Sequence, residues 1–181
     1  AEYSDRVAVG MKSLYGWSEM TYKGVGLLSR KIARHLIEDL EIKKGECLAI
    51  LSESKPQYAP CVFASVLTGT ITVPLDIKLT KYELKSILSD CEPTLIFVSR
   101  KYIDMAKYLT EEIPSLKHIL VMDEPYHEID EKSIYQLPET TTARIIISIP
   151  KALIIALSLH LFADFSFLGD TTKSLIPPRI K

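Results

Sequence analysis

The sequence predicts an α/β fold with an open, mostly parallel sheet and helices on both faces. Four short apolar runs carry this prediction, at 47–51, 71–73, 94–98 and 118–122, with the second run ended by Pro74. Runs that are apolar without alternation are typical of strands buried on both faces. Segments with helical periodicity separate the runs, so we expect the strands to pair in parallel through right-handed crossovers.

An amphipathic helix is predicted over residues 22–42. Apolar residues recur there at steps of three and four, and charged residues fill the opposite face. These apolar positions are Val25, Leu28, Ile32, Leu36 and Leu40. We expect Gly45 to cap the carboxyl end of this helix, because glycine readily adopts the left-handed conformation that such caps use.

Three further helices are predicted between the strands. One opens at residues 52–56 and closes at Gly69. The next begins at Thr80 and Glu83, which have the spacing of a capping box. The last spans residues 102–112.

The charge balance gives no reason to expect a nucleic-acid partner. The chain has 22 basic and 23 acidic residues, a net charge of −1, and no basic cluster interleaved with aromatic residues. Proteins that bind nucleic acids or anionic membranes by electrostatics carry a clear basic excess. We therefore predict that this protein binds neither nucleic acids nor anionic membranes through its net charge.

The cysteines predict a reduced, cytoplasmic protein without a metal site. Cys47, Cys61 and Cys91 are odd in number, widely spaced and set among apolar neighbours. We interpret them as inert core thiols. A nucleophilic role for Cys61 is disfavoured, because no histidine or acid pattern accompanies it. The four histidines are scattered and are interpreted as surface or strand-edge residues.

The two ends of the chain give separate expectations. Residues 1–6 lack the apolar core of a secretory signal, and no Met begins the chain. We expect that the chain has been trimmed or begins inside a longer reading frame. The apolar tract 152–168 is interrupted by His160 and Asp164, whereas a membrane span needs about 20 nearly uninterrupted apolar residues. Membrane contact by this tract is retained as the alternative to a purely cytoplasmic location.

Three polar residues at the predicted carboxyl ends of strands are candidates for facing a ligand. They are Ser52, Asp76 and Ser99. Open α/β sheets bind ligands beyond the carboxyl ends of their strands. The alternative interpretation, which we favour, is that all three are solvated turn residues.

Several stretches resemble the start of the AMP-binding acyl-CoA synthetases. Residues 20–23 (MTYK) are similar to the family's "mTYkel" opening, and residues 42–58 to its "gvkkGDrVaIlseNrpeW" segment. Residues 69–90 are similar to "GavvVPLdprLtpeELayIlnds", and the strand at 95–99 follows at the right distance. The resemblance covers residues 5–122 and leans towards the long-chain fatty acid branch.

The resemblance implies a two-step reaction in the full-length protein. In that family ATP adenylates a carboxylate and CoA then displaces AMP, so ATP, Mg, CoA and a fatty acid are implied. The family's glycine-rich phosphate loop would fall at residues 143–152, which read Ala-Arg-Ile-Ile-Ile-Ser-Ile-Pro-Lys-Ala. Such a loop needs glycines, because its backbone amides approach the phosphates closely. We therefore expect no catalytic, cofactor-binding or metal-binding residue in this chain, and an inactive N-terminal fragment.

The domain prediction has three parts. Residues 1–122 form an N-terminal α/β subdomain, 123–142 a linker or surface loop, and 143–181 a divergent apolar tail that is a non-native continuation. The alternatives are a non-catalytic binding or regulatory module on the same fold, and a membrane-associating short protein. A flavodoxin-like domain is disfavoured, because no phosphate-binding glycine loop follows the first strand.

The break in the resemblance predicts a specific nucleotide sequence. If a frameshift or truncated gene prediction produced the tail, another forward frame should encode a Ser-Gly-Thr-Thr-Gly-like run near codon 147. Reading the genomic sequence in all three forward frames is the measurement. Absence of such a run from every frame would contradict the frameshift and favour a genuine short protein.

Overall fold

The computed structural model describes residues 2–14, 16–124 and 131–138. The chain divides into two compact units, Ala1–Ile145 and Ile146–Lys181, and the described residues all belong to the first. The predicted tail at 143–181 and its apolar tract 152–168 lie outside the described residues. Predictions that concern them remain predictions.

Strands and helices alternate through most of the described part. In chain order they are β1 Val7–Ser13, β2 Gly16–Thr21, α1 Tyr22–Arg34, a π-helical turn His35–Asp39, β3 Cys47–Leu51, α2 Tyr58–Thr68, β4 Ile71–Leu75, α3 Lys81–Cys91, β5 Leu95–Val98, a 3-10 turn Arg100–Tyr102, α4 Ile103–Glu112, β6 His118–Val121 and a second 3-10 turn Ile134–Gln136.

The predicted parallel sheet is confirmed. Strands β3 to β6 form one four-stranded sheet in the order β4-β3-β5-β6, and every neighbouring pair is parallel. In the register, Cys47 lies opposite Ile71, and Leu48 lies opposite Leu95. Because consecutive parallel strands need a crossover, α2, α3 and α4 lie between successive strands of the sheet in sequence.

Alternate residues of the central strand β3 enter two different cores. Leu48 and Ile50 pack in a cluster with residues of α1 and α2. Ala49 and Leu51 pack in a second cluster with residues of α3 and α4. Side chains of a strand point alternately to the two faces, so each face of the sheet carries its own helix pair. Phe97 of β5, which is fully buried, belongs to the first cluster.

The antiparallel β1–β2 hairpin was not predicted. Its register runs from Val7 opposite Thr21 to Ser13 opposite Gly16, and Gly16 has a φ of +119°. A φ in that region is readily available only to glycine. Four of the six residues of β2 are exposed, so neither strand shows the buried run or the clear alternation by which strands are recognised in a sequence.

The end of the first helix differs from the prediction. Regular α-helix stops at Arg34, and a π-helical turn follows to Asp39. The prediction that Gly45 caps this helix is wrong. Glu41, with a φ of +54°, reverses the chain, and the amide of Ile42 donates to the carbonyl of Leu36 at 2.9 Å. Gly45, with a φ of +89°, lies in the later turn that leads into β3.

Helix α2 begins at Tyr58 rather than at residues 52–56, whereas its predicted end and the predicted start of α3 agree with the structure. Gly69 is the left-handed cap of α2, with a φ of +70°. Thr80 and Glu83 form the predicted capping box of α3. The Glu83 amide donates to Thr80 Oγ1 at 3.4 Å, and the Thr80 amide donates to Glu83 Oε2 at 2.8 Å.

Pro74 lies inside strand β4 and does not end it. The strand continues to Leu75, which lies opposite Leu51 of β3. The amide of Ile71 donates to the carbonyl of Glu46, on the β3 side, at 2.8 Å. Because amides alternate in direction along a strand, the nitrogen of Pro74 faces away from β3 and takes no part in the ladder.

Part of the predicted linker packs on the sheet. Ser133 makes a parallel bridge to Val121, and Ile134 and Leu137 are buried in the same cluster as Leu48. Residues 131–138 are therefore not a surface loop, because their apolar side chains complete one face of the sheet. The domain boundary at residue 122 itself stays a prediction.

Two interpretations of single residues need correction. Cys61 is fully buried, as expected of a core thiol, and burial raises the pKa of its thiol. Cys47 and Cys91 are only half-buried, so they are not core thiols. His35 is buried, whereas a surface or strand-edge position was expected, and its Nδ1 lies 2.5 Å from Asp39 Oδ2 in the π-helical turn.

The capping box predicts a measurable loss of stability. Thr80→Ala removes the side-chain acceptor at the start of α3, which should lower the free energy of unfolding by about 1 kcal/mol. Urea unfolding followed by far-ultraviolet circular dichroism measures it. Ser86→Ala, at an exposed position of the same helix, is the matched control and should change little. Equal stability of the two variants would show that the box contributes nothing.

Candidate functional site at the carboxyl edge of the sheet

The four parallel strands end at one edge of the sheet, which we call the carboxyl edge. Each strand is followed there within two residues by a polar side chain, namely Ser52 after β3, Asp76 after β4, Ser99 after β5 and Asp123 after β6. Ser52 and Ser99 are buried, whereas Asp76 is exposed. The sequence therefore predicted the correct edge for its three candidates.

Two of these candidates satisfy local backbone groups. The Ser52 hydroxyl donates to the carbonyl of the next residue, Glu53, at 2.8 Å. Asp76 Oδ1 accepts from the amide of Lys78 at 2.9 Å, an arrangement typical of aspartate-initiated turns. Both contacts agree with the interpretation of these residues as turn residues.

Ser99 is different, because its hydroxyl reaches another strand end. It donates to Glu53 Oε2 at 2.5 Å, while the Ser99 amide donates to the carbonyl of Leu51 at 3.2 Å. Ser99 is completely buried. The side chain therefore joins the end of β5 to the segment that follows β3.

A largely buried lysine lies between two carboxylates at this edge. Lys55 Nζ is 2.6 Å from Asp123 Oδ1 and 3.4 Å from Glu53 Oε1. The Lys55 side chain is only 10% exposed, so these carboxylates surround its ammonium group largely in place of water. We call Glu53, Lys55, Ser99 and Asp123 the strand-end network.

Asp123 also accepts hydrogen bonds from the backbone of Arg100 and from Ser133, in the segment 131–138. Its Oδ2 accepts from the Arg100 amide at 2.7 Å, and its carbonyl accepts from the Ser133 hydroxyl at 2.5 Å. Arg100 Nη2 donates to the carbonyl of Glu124 at 3.0 Å. Both carboxylate oxygens of Asp123 are thus engaged, one by a cation and one by an amide.

The Glu53 carboxyl is held in its charged form. Burial is the largest influence on its pKa and raises it, but the opposing influences together outweigh burial. These are hydrogen bonds from Ser99, from the backbone amide of Glu53 itself and from Lys55, together with the positive charge of Lys55. The net pKa lies below the ordinary glutamate value of 4.5, so Glu53 is ionised at neutral pH. A general acid would need the opposite shift.

A further contact joins the segment 131–138 to the start of α2. Gln57 Nε2 donates to the hydroxyl of Tyr135 at 3.0 Å. Burial raises the pKa of Tyr135 above its usual value, and the bond from Gln57 opposes this in part. Tyr135 is therefore a neutral, packed side chain rather than a reactive phenolate.

The carboxylates of the strand-end network do not fit a magnesium ion. A Mg²⁺ site needs carboxylates with oxygens free for the metal and its waters, whereas Lys55 and the Arg100 amide engage both oxygens of Asp123. Within residues 2–14, 16–124 and 131–138, no group of three or more metal-ligating side chains could hold an ion. What the arrangement can do chemically is hold strand ends and loops together.

The sequence pattern does not predict the strand-end network. It places Glu53 and Lys55 in a helix start and Asp123 at the first position of a linker. The members of the network are far apart in the chain, and Lys55 and Asp123 are separated by 68 positions. One signal was available, because Asp123 follows β6 closely, as Ser99 follows β5.

A search of the described helices for a membrane span gave a negative result. None of them combines the length and the apolar character that crossing a bilayer requires.

Comparison with curated proteins shows relatives named for fatty acids. The human long-chain-fatty-acid–CoA ligase is 25% identical over 125 residues, which cover 68% of this chain and 17% of that protein. The mouse long-chain fatty acid transport protein 6 is 28% identical over 109 residues, covering 60% of this chain and 17% of that protein. The chain thus spans about a sixth of the length of these relatives.

Comparison with solved structures agrees on the fold. The coronafacic acid ligase of Pectobacterium brasiliense superposes with a TM-score of 0.65 at 21% identity, covering 78% of this chain and 28% of that one. Among families, the one described as AMP-binding enzyme matches residues 1–149, well over half of the chain. The resemblance found at residues 5–122 is therefore confirmed by a match that extends beyond it, and the chain belongs to the AMP-binding enzyme family.

Proposed function

We propose that this chain supplies the N-terminal α/β subdomain of an ATP-dependent acyl-CoA synthetase that acts on fatty acids. The family match over residues 1–149 carries the proposal. The fatty acid preference is supported by the names of the human ligase and the mouse transport protein, which are similar to 60–68% of this chain. The full-length protein would use ATP, Mg and CoA for carboxylate adenylation and thioester formation.

In this proposal the described residues act as a scaffold. The carboxylates of Glu53 and Asp123 are engaged by Lys55, Ser99 and the Arg100 amide. We therefore propose no catalytic step for the strand-end network. Its contribution is to hold the ends of β3, β5 and β6 at fixed positions beside the remainder of a synthetase.

The proposed location is the cytoplasm, with membrane contact by residues 152–168 as the alternative. Three free cysteines support a reducing compartment, because proteins of oxidising compartments usually pair theirs. The mouse relative named as a fatty acid transport protein keeps the membrane alternative open.

Assay of the isolated chain tests the scaffold proposal. We expect ATP–pyrophosphate exchange with fatty acids of several lengths to stay at the level of a heat-denatured control. Adenylation depends on positioned groups and charge stabilisation that these residues do not provide. A full-length acyl-CoA synthetase is the positive control. Exchange clearly above the denatured control would overturn the proposal.

Binding without turnover would have a different meaning. If isothermal calorimetry showed that the chain binds ATP or an acyl-CoA while exchange stays at background, the non-catalytic binding module would be the better description. A scaffold should show neither ligand binding nor exchange, because both need the remaining domains of the synthetase.

The strand-end network makes a separate prediction about stability. Lys55→Met leaves Glu53 and Asp123 without their shared cation, which should lower the free energy of unfolding by about 1–2 kcal/mol. Lys85→Met is the matched control, because its ion pair with Glu112 is exposed, with side chains 41% and 37% accessible, and should change little. Urea unfolding at neutral pH compares them. Equal midpoints would show that the network does not stabilise the strand ends.

A further inference from the structure

Two of the three cysteines are half-buried and lie at the end of the sheet opposite the strand-end network. Cys47 is the first residue of β3, and Cys91 is the last residue of α3. Cys61, in α2, is completely buried. The first two thiols therefore have a path to solvent that the third lacks.

The register of the sheet places the Cys47 side chain on the face covered by α3. Ala49 and Leu51 of the same strand pack in the cluster that contains Leu84 and Leu88 of α3. Side chains two residues apart in a strand point to the same face. Cys47 therefore points to the same face as Ala49, and Cys91 packs against that same cluster.

Topology brings the end of α3 over the start of β3. The sheet order is β4-β3-β5, and α3 connects β4 to β5. A crossover between strands that flank β3 must pass over β3. Because all of these strands are parallel, α3 runs back towards their amino ends, so its last residue, Cys91, lies over the end at which Cys47 begins.

Hydrogen bonds from Thr94 hold the segment that follows Cys91 against the start of β3. The amide of Thr94, three residues after Cys91, donates to the carbonyl of Cys47 at 3.0 Å. Thr94 Oγ1 also donates to Glu46 Oε2 at 2.6 Å. Burial raises the pKa of the Cys91 thiol, and the charge of Cys47 raises it further.

We propose that Cys47 and Cys91 form a reversible intrachain disulfide that ties the end of α3 to the start of β3. The oxidant is a low-molecular-weight disulfide such as oxidised glutathione. One cysteine thiolate attacks the oxidant, displaces one thiol and becomes a mixed disulfide. The second thiolate then displaces the second thiol, so two S–H groups are oxidised and one disulfide is reduced to two thiols.

The turn between α3 and β5 gives this bond a structural consequence. Glu92, which follows Cys91 directly, adopts the left-handed conformation with a φ of +45°. A residue other than glycine is disfavoured there, so the turn depends on its surroundings. A bond from Cys91 to Cys47 would hold both sides of the turn, and its reduction would release them.

Peptide mapping of the 181-residue chain tests the proposal. The folded protein is equilibrated with oxidised and reduced glutathione, alkylated, denatured and digested without reduction. We expect a linked peptide pair that contains Cys47 and Cys91, an intact monomer mass lower by two hydrogens, and a free thiol at Cys61. The linked fraction should be several-fold higher than for the same protein oxidised in urea, because folding brings the two thiols together.

Variants identify the sulfurs and control for unfolding. Cys91→Ser should abolish the linked pair and leave Cys47 free or as a glutathione adduct, while Cys61→Ala should keep the pair. The wild-type map alone decides the question if either variant fails to fold. Separate glutathione adducts at Cys47 and Cys91 in the folded wild type, or a linked fraction no higher than in urea, would overturn the proposal.

Discussion

Parallel pairing of short strands is the constraint on which the rest of this structure depends. A parallel strand has no hairpin partner, so each connection must cross the sheet and leave a helix on one of its faces. The central strand β3 shows the result, since Leu48 and Ile50 belong to one core while Ala49 and Leu51 belong to another. Loss of either helix layer would expose a complete apolar face of the sheet. Residues 131–138 help to cover one of these faces, in the same core as Leu48 and Ile50.

The same pairing explains which features were predictable. Strands β3 to β6 are buried on both faces and appear as continuous apolar runs, and Thr80 with Glu83 marks a helix start through purely local chemistry. The β1–β2 hairpin has mostly exposed residues in β2, and the helix end depends on Glu41 rather than on Gly45. These two features result from backbone conformation and packing that the residue types alone do not specify.

The sequence predicts where the carboxyl edge lies, but not which side chains contact one another there. Ser52, Asp76 and Ser99 lie at the expected strand ends because the parallel topology fixes that edge. Lys55 and Asp123 meet only when β3 and β6 occupy their places in the sheet, with β5 between them. Contacts of this kind depend on strand order, which periodicity does not reveal. The apolar runs predicted the fold, but this pairing is visible only in three dimensions.

Pro74 has a consequence for how this protein behaves at high concentration. Among the described strands, β4 lies at an outer position of the sheet and pairs only with β3. The other side of such a strand offers amides and carbonyls to any passing chain. Since the Pro74 nitrogen faces that side and carries no hydrogen, an incoming strand would lose one bond near the end of β4. Among the described strands, Pro74 therefore makes the outer side of β4 a poorer template for edge-to-edge aggregation.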